Sequence, residues 1–377
     1  MTATTESCLI IAGEKSGEEH ASSFLPEVIK NSPHINFFGV GGEYFENLGV
    51  DLLYHFKDFS SWGYSEVITK IPFYLNSLKV IESKCEELNC KYAILIDFQE
   101  FNLKLAKKLS QKGIKIYYYV APQAWAWKSW RSKTLAKYVD SLFTILPFEE
   151  KWFKDRGVAN VYSIPHPVYS RFKSINYNRN KTKNIKHTIG IFPGSRNSEI
   201  KNLLPIFLKS AILLSKSLNC KFVIVYPDHI ERKSLITLES SIDLKIVTND
   251  QLDEYLPKLD YAMAASGTIN LNLALYKIPT IVCYKTSLLN QFIYETFVDY
   301  PGPFSLPNII WNKIVFPELM QDNFSEYNIV SILRNWIKYN SDGQLFYPSF
   351  NELTLKLSKA NFDVSGFLIK EMSKPNE

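Results

Sequence analysis

Several absences narrow the field before any motif is considered. The 377-residue chain has no uninterrupted apolar stretch of about eighteen residues or more, so no transmembrane helix is expected. Its first residues, Met1 to Ser7, carry no basic group ahead of the apolar run that follows, which argues against a signal peptide. Lys and Arg never gather into a block of the kind that forms a nucleic-acid-binding arm. The five cysteines, Cys8, Cys85, Cys90, Cys220 and Cys283, have no metal-like spacing. Their odd number argues against a disulfide framework and for a reducing, cytoplasmic compartment. No Asp-x-Asp pair stands in the cleft loops to hold a metal, so none is required, and no cofactor is expected.

What remains is ordinary globular material with two biases. Hydrophobic residues make up 46% and charged residues 21% of the chain, while aromatics reach 14%. The net charge of +5 is mildly basic and suits phosphorylated substrates or an anionic membrane surface. The length exceeds one ordinary core, so two domains are expected.

Short apolar runs alternate with helical patterns. Cys8–Ala12, Asn36–Val40, Lys91–Asp97, Lys115–Val120, Ser141–Leu146 and Asn160–Ile164 read as strands, with a helix from about Glu19 to Lys30. The polar stretch Lys173 to His187 then reads as a linker. After it come strands at Thr188–Phe192, Lys221–Tyr226, Leu244–Val247, Tyr261–Ala264 and Thr280–Tyr284. Continuous apolar strands separated by helices predict parallel sheets covered on both faces. The expectation is α/β: two doubly wound, Rossmann-like units, residues 1–172 and 188–345, facing a cleft. A C-terminal segment, 346–377, should carry a helix (Glu352 to Ala360) that returns to the first unit. Ligands of such sheets bind at the carboxyl ends of strands.

Two turns at such ends look built for anions. Phe192-Pro193-Gly194-Ser195-Arg196 lies between a strand and a helix start, so free N–H groups and the helix dipole point into it. Arg196 adds a planar fork for phosphate oxygens. Ala265-Ser266-Gly267-Thr268 is a second strand–turn–helix junction, about seventy residues on. Together they suit a nucleotide diphosphate. Elsewhere, Asp97 ends a buried strand, where it can serve as a general base or cap the next helix. Trp125 and Trp127 can form a platform for sugar or acyl groups, or be core. His166, between Pro165 and Pro167, is a phosphate contact or a turn residue. The stretch Trp62 to Ile81 is aromatic and amphipathic. It reads either as a helix pair over the core or as a surface for a membrane or acyl chain.

In this order and spacing the runs resemble the lipid-A-disaccharide synthase family. The resemblance spans nearly the whole chain. It includes Ala12-Gly13-Glu14 with Ser16-Gly17, Gly39-Val40-Gly41-Gly42, Ile96-Asp97 with Phe101-Asn102, and Pro122 with Trp125-Ala126-Trp127. It continues through Leu146-Pro147-Phe148-Glu149, Pro193-Gly194-Ser195-Arg196, Ala265-Ser266-Gly267-Thr268 and Ser305-Leu306-Pro307-Asn308. The resemblance implies a two-domain GT-B enzyme and an inverting sugar transfer. UDP-2,3-diacylglucosamine would be the donor and 2,3-diacylglucosamine 1-phosphate the acceptor, giving a β-1,6-linked disaccharide phosphate and UDP. The N-terminal half would take the acceptor, through Glu14, Ser16, Gly17, Glu100, Asn102, Trp125, Trp127 and His166. The C-terminal half would hold UDP, through Gly194, Ser195, Arg196, Ser266, Gly267, Thr268, Asn272 and Asn308.

Asp97 would be the base, and Arg196 would stabilise the departing UDP. Peripheral attachment to the cytoplasmic face of the inner membrane is implied, and a homodimer is compatible with it. The chain departs from the family pattern at Glu18, where Asp is usual and Lys15 lies inside the loop, at Glu100, and at Asn272, where Glu is usual. Two competing readings are a UDP-sugar 2-epimerase-like enzyme and a divergent nucleotide- or lipid-binding paralogue.

Overall fold

A computed structural model describes residues 6–59, 64–175, 186–227, 242–285, 302–339 and 344–374, the side chains of 64–68 excepted. The chain divides into two compact units, residues 1–167 with 360–377 and residues 168–359.

The first unit is built on a seven-stranded parallel sheet: β1 (Glu6–Ala12), β2 (Ile35–Gly41), β3 (Asp51–His55), β4 (Cys90–Ile96), β5 (Lys115–Tyr119), β6 (Ser141–Thr144) and β7 (Val161–Ser163). Their spatial order is β3-β2-β1-β4-β5-β6-β7. Because side chains alternate across a strand, Leu9 and Ile11 enter one buried layer while Cys8, Ile10 and Ala12 enter the other. That double burial is why β1 is apolar from Cys8 onward and β4 from Tyr92 onward.

The second unit holds six parallel strands: β8 (His187–Phe192), β9 (Cys220–Val225), β10 (Leu244–Val247), β11 (Tyr261–Ala265), β12 (Thr280–Tyr284) and β13 (Glu318–Met320). They are ordered β10-β9-β8-β11-β12-β13. Ile189 and Ile191 face one layer, and Val223, Ala262 and Ala264 the other. In both sheets the order reverses beside the first strand, between β1 and β4 and between β8 and β11. The loops leaving those strands diverge and open a crevice for a ligand.

Four features differ from the sequence reading. The edge strands β3 and β13 are additional; one is half-exposed along its length and the other is three residues long. The helix expected over Glu19–Lys30 is two, Lys15–Ala21 and Leu25–Asn31. Pro26 sits in the first turn of the second, where its missing N–H costs no bond. The second unit begins earlier than expected, at Val168, and the helix Pro167–Ser174 leads into it. Most of the Asn- and Lys-rich stretch beyond lies outside the described residues.

The helix around Glu352 is real (Tyr347–Ser358), but it stays in the second unit, where it packs on Leu306–Trp311 and Ile269–Leu275. The return to the first unit is made by the next helix, Val364–Met372. Asp363 caps it by accepting from the Gly366 N–H at 3.0 Å, and it packs on Leu25–Asn31. Val364, Leu368 and Met372 thereby complete the first core. Leu368→Ala should destabilise the protein by about 2–5 kcal/mol in urea denaturation, as buried Leu truncations do. Leu355→Ala, at an exposed position, should cost less than about 0.5 kcal/mol.

Candidate functional site

Each crevice holds a cavity, and the two differ in chemistry. The first, about 550 Å³, is walled by Ile71, Tyr74, Leu75, Leu78, Phe98 and Phe101, with Trp127 beside them. Its polar groups are Glu14, Ser16, Asp97, Gln99, Glu100, Lys104 and Arg131. Ile71 and Leu75 come from the helix Tyr64–Glu87 and are 47% and 51% exposed. Thus the aromatic stretch flagged in sequence is one helix from Tyr64 onward. One of its faces (Leu78, Ile81, Cys85) is buried, and apolar residues beside that face line the cavity. Trp62 lies outside the described residues.

Asp97 stands at the carboxyl end of β4 on unusual backbone. Asp97 and Phe98 both have left-handed φ, 47° and 42°, which costs about 1–2 kcal/mol per residue for an L-side chain. A set of bonds holds this turn. The Asp97 N–H donates to Tyr119 O at 2.8 Å, and the Tyr118 hydroxyl donates to Asp97 O at 2.8 Å. Asn102 Nδ2 donates to Ile96 O at 3.2 Å and to Asp97 O at 2.9 Å. The Phe98 ring is thrown over Gly13, where a Cβ would lie 2.5 Å from it. Only glycine leaves that ring its place.

Burial, with the negative charge of Glu14 second, pushes the Asp97 carboxyl up to about 6, against a small lowering by its bond to the Phe98 backbone. Glu100 is different. Burial opposes its ionisation, but Lys128, at 2.7 Å, and the fully buried Arg131 both bond its carboxylate. These partners prevail and hold it below the usual range. Arg131 also donates to Gln99 Oε1 at 2.7 Å and lies over the Trp127 ring. Of the two neighbouring carboxylates, only Asp97 is poised to exchange a proton near neutrality.

The second cavity, about 410 Å³, is lined by Gly194, Ser195, Arg196, Glu199, Ser266, Gly267, Thr268 and Asn272, with Val225, Asn249 and Leu252 among the rest. Both anion turns therefore share one space. The strand β11 ends in a turn tied by Asn270, whose Nδ2 donates to Ala265 O at 3.0 Å and Gly267 O at 3.1 Å. Arg196 is the N-cap of the helix Asn197–Ser215 and exposes its guanidinium.

Similarity to known proteins favours the glycosyltransferase over the alternatives. Residues 8–343 match the family described as lipid-A-disaccharide synthetase. A lipid-A-disaccharide synthase of Myxococcus xanthus (strain DK1622) is 33% identical, over 87% of this chain and 88% of that protein.

The chain belongs to the lipid-A-disaccharide synthetase family.

It is thereby a glycosyltransferase of lipid A biosynthesis. The crystal structure of MurG from Acinetobacter baumannii shares its fold at 8% identity, with a TM-score of 0.58 over 98% of this chain and 100% of that one. A UDP-GlcNAc 2-epimerase from Neisseria meningitidis bound to UDP-GlcNAc does so at 12% identity, with a TM-score of 0.52 over 97% and 99%. Such likeness establishes the GT-B-like fold, and among the described residues no helix is long and apolar enough to cross a membrane.

In this synthetase-family chain the residues expected to bind the acceptor separate into two sets. Glu14, Ser16, Gly17, Glu100 and Trp127 line the first cavity. Asn102, Trp125 and His166 do not. The amide of Asn102 is engaged with the end of β4. Trp125 Nε1 donates to Glu149 Oε1 at 2.9 Å, and Glu149 is fully buried beneath the Leu146 and Ile145 N–H groups that it accepts from. Burial pushes that carboxyl up to about 7. His166 is buried, and burial, helped by nearby His20, drives its pKa down to about 4.

On the donor side Asn308 is the exception. Its amide donates to Phe316 O at 2.8 Å and Glu318 Oε1 at 2.7 Å, while Oδ1 accepts from Val315 and Phe316. That amide is spent on its own loop. Sequence reasoning passed over Arg131, Lys104 and Glu199, while Leu75 falls in the amphipathic stretch it had singled out. Only Glu199 carried a signal, its place three residues after an N-cap.

The raised pKa of Asp97 has a consequence for stability. Between about pH 4 and 6 the folded state holds this proton and the unfolded state does not, so stability falls as pH rises through that window. The shift corresponds to about 3 kcal/mol, reduced to about 1–2 because the carboxyl keeps some contact with water. Asp97→Asn should therefore melt at a higher temperature than wild type at pH 8, with the gap closing at pH 4. Equal gaps at both values would show that burial does not burden this carboxylate.

Proposed function

We propose that the chain moves a diacylglucosamine unit from UDP-2,3-diacylglucosamine to the 6-hydroxyl of 2,3-diacylglucosamine 1-phosphate, with inversion. The products are a β-1,6-linked disaccharide 1-phosphate and UDP. The observation that carries this reading is Asp97. It is a carboxylate with a pKa near 6 at the switch point of one unit, on the wall of a cavity whose other walls are largely apolar. A pure nucleotide binder has no use for such a group, and an epimerase has no use for the apolar surplus around it.

The acceptor sugar would lie against Glu14, Ser16 and Trp127, with its acyl groups along Ile71, Leu75, Leu78 and Phe101. As the acceptor oxygen bonds to the anomeric carbon of the donor, the bond from that carbon to the UDP oxygen breaks. Asp97 takes the hydroxyl proton. A positioned base of this kind typically supplies 10²- to 10⁴-fold, and one with a pKa near 6 is ionised at pH 7. Negative charge gathers on the departing diphosphate. The N–H groups of the Gly194–Arg196 turn, the helix dipole behind them and the Arg196 guanidinium would stabilise it.

Asn272, on the wall of the same cavity, would bond the ribose. Without a carboxylate there, that bond lacks the charge-assisted strength of the family's usual Glu. Diacylated substrates reside in a bilayer. The exposed Ile71, Leu75 and Val80 and the net positive charge support peripheral attachment to the cytoplasmic face of the inner membrane.

Asp97→Asn should lower kcat by about 10²-fold or more while UDP affinity stays at the wild-type value. The wild-type rate should rise with pH to a plateau, with a midpoint near 6. Arg196→Ala should lower kcat by about 10²-fold or more. Wild-type turnover in Asp97→Asn would remove this residue from catalysis, and loss in Glu100→Gln instead would transfer the role.

A further inference from the structure

The anion turn of the second unit is already occupied by a side chain of the protein. Glu199 Oε2 accepts from the Ser195 N–H at 3.0 Å and the Arg196 N–H at 3.3 Å. Glu199 Oε1 accepts from Arg196 Nη1 at 3.0 Å. Gly194 makes the fold-back feasible. Its φ is 104°, and a Cβ there would lie 2.4 Å from Glu199 Oε2. The carboxylate lines the same cavity as Ser266, Thr268 and Asn272.

These donors are the ones assigned above to the leaving diphosphate. A carboxylate and a phosphate cannot both hold them, and two anions in one turn repel each other. We propose that Glu199 is an internal competitor for phosphate that sets how tightly the site holds a nucleotide diphosphate; the nucleotide part of this rests on the donor assignment above.

Without nucleotide, Glu199 caps the helix Asn197–Ser215 and pairs with Arg196. With a diphosphate bound, the carboxylate swings out, phosphate oxygens take the Ser195 and Arg196 N–H groups, and the guanidinium is released to the ligand. The helix N-terminus is satisfied in both states, so the exchange leaves no orphaned donor. Its effect is to weaken binding of the diphosphate product and to favour its release.

The test is calorimetric titration of the full chain with UDP, uridine and inorganic pyrophosphate, in wild type, Glu199→Gln and Glu199→Ala. Gln keeps a neutral acceptor for the helix cap and removes the charge. Ala removes both and serves if the Gln variant folds poorly. Glu199→Gln should bind UDP and pyrophosphate about tenfold more tightly or better, the scale of one charge-assisted contact, with uridine unchanged. Equal or weaker binding of both phosphates would overturn the proposal and leave Glu199 as a residue that orients Arg196. If wild type binds pyrophosphate but not UDP, and the variant still gains for pyrophosphate, the competitor stands and the nucleotide assignment fails. If UDP binds wild type and the variant gains nothing for either phosphate, the assignment stands and the competitor fails.

Discussion

The side-chain amides of Asn102 and Asn270 hold the two sites in the same way. Each lies near the start of the helix that leaves a switch-point strand, and each donates its Nδ2 back to the last carbonyl of that strand and to one in the turn after it. A parallel sheet leaves the backbone at its carboxyl edge without ladder partners just where the chain must turn. An amide fixed by the following helix satisfies those carbonyls and sets the angle of the turn. In the first unit this restraint, with the Tyr118 hydroxyl, accounts for two successive left-handed residues and so for where Asp97 points. In the second it shapes the Ser266–Thr268 turn, which shares a cavity with the Gly194–Arg196 turn. The reactive groups differ between the units, and the means of presenting them is shared.

Four glutamates and one aspartate then take separate parts according to what surrounds each. Glu100 has a buried Arg and a Lys beside it and stays ionised. Asp97, close by in the chain, is pushed up by burial and by the charge of Glu14, and sits near the pH at which proton transfer is useful. Glu149 is fully buried under two backbone N–H groups and an indole, and its role is to anchor the Trp125 loop. Glu18 accepts from the Gly42 and Phe45 N–H groups and caps the helix behind β2; the extra methylene relative to Asp is accommodated there, away from the cavity. Glu199 accepts from the Ser195 and Arg196 N–H groups of the Gly194–Arg196 turn.

The alternation of apolar strands with helices was legible in the chain, because strands buried on both faces must be apolar throughout. Both switch-point turns were legible for a related reason: small residues and a capping pattern follow directly upon such strands. The edge strands β3 and β13 were not, since a half-exposed strand and a three-residue one leave too little pattern. The larger gap concerns polar side chains. An Asn near the start of a helix reads equally as a ligand contact or as a tie to the protein's own chain, and Asn102 and Asn308 are ties. Trp125 and Trp127 are two residues apart, yet one answers a buried carboxylate and the other faces the cavity. The choice depends on Glu149 and Arg131, whose positions follow from the tertiary fold rather than from local spacing.

Transfer of one sugar with inversion is tested most directly on the wild-type protein. Purified chain would be incubated in mixed micelles with UDP-2,3-diacylglucosamine and 2,3-diacylglucosamine 1-phosphate, and the lipid product examined by proton NMR. The expected result is a disaccharide 1-phosphate with a β-configured 1,6 linkage and one UDP released per linkage formed. UDP release without a disaccharide, an α linkage, or conversion of the donor sugar to its 2-epimer would contradict it.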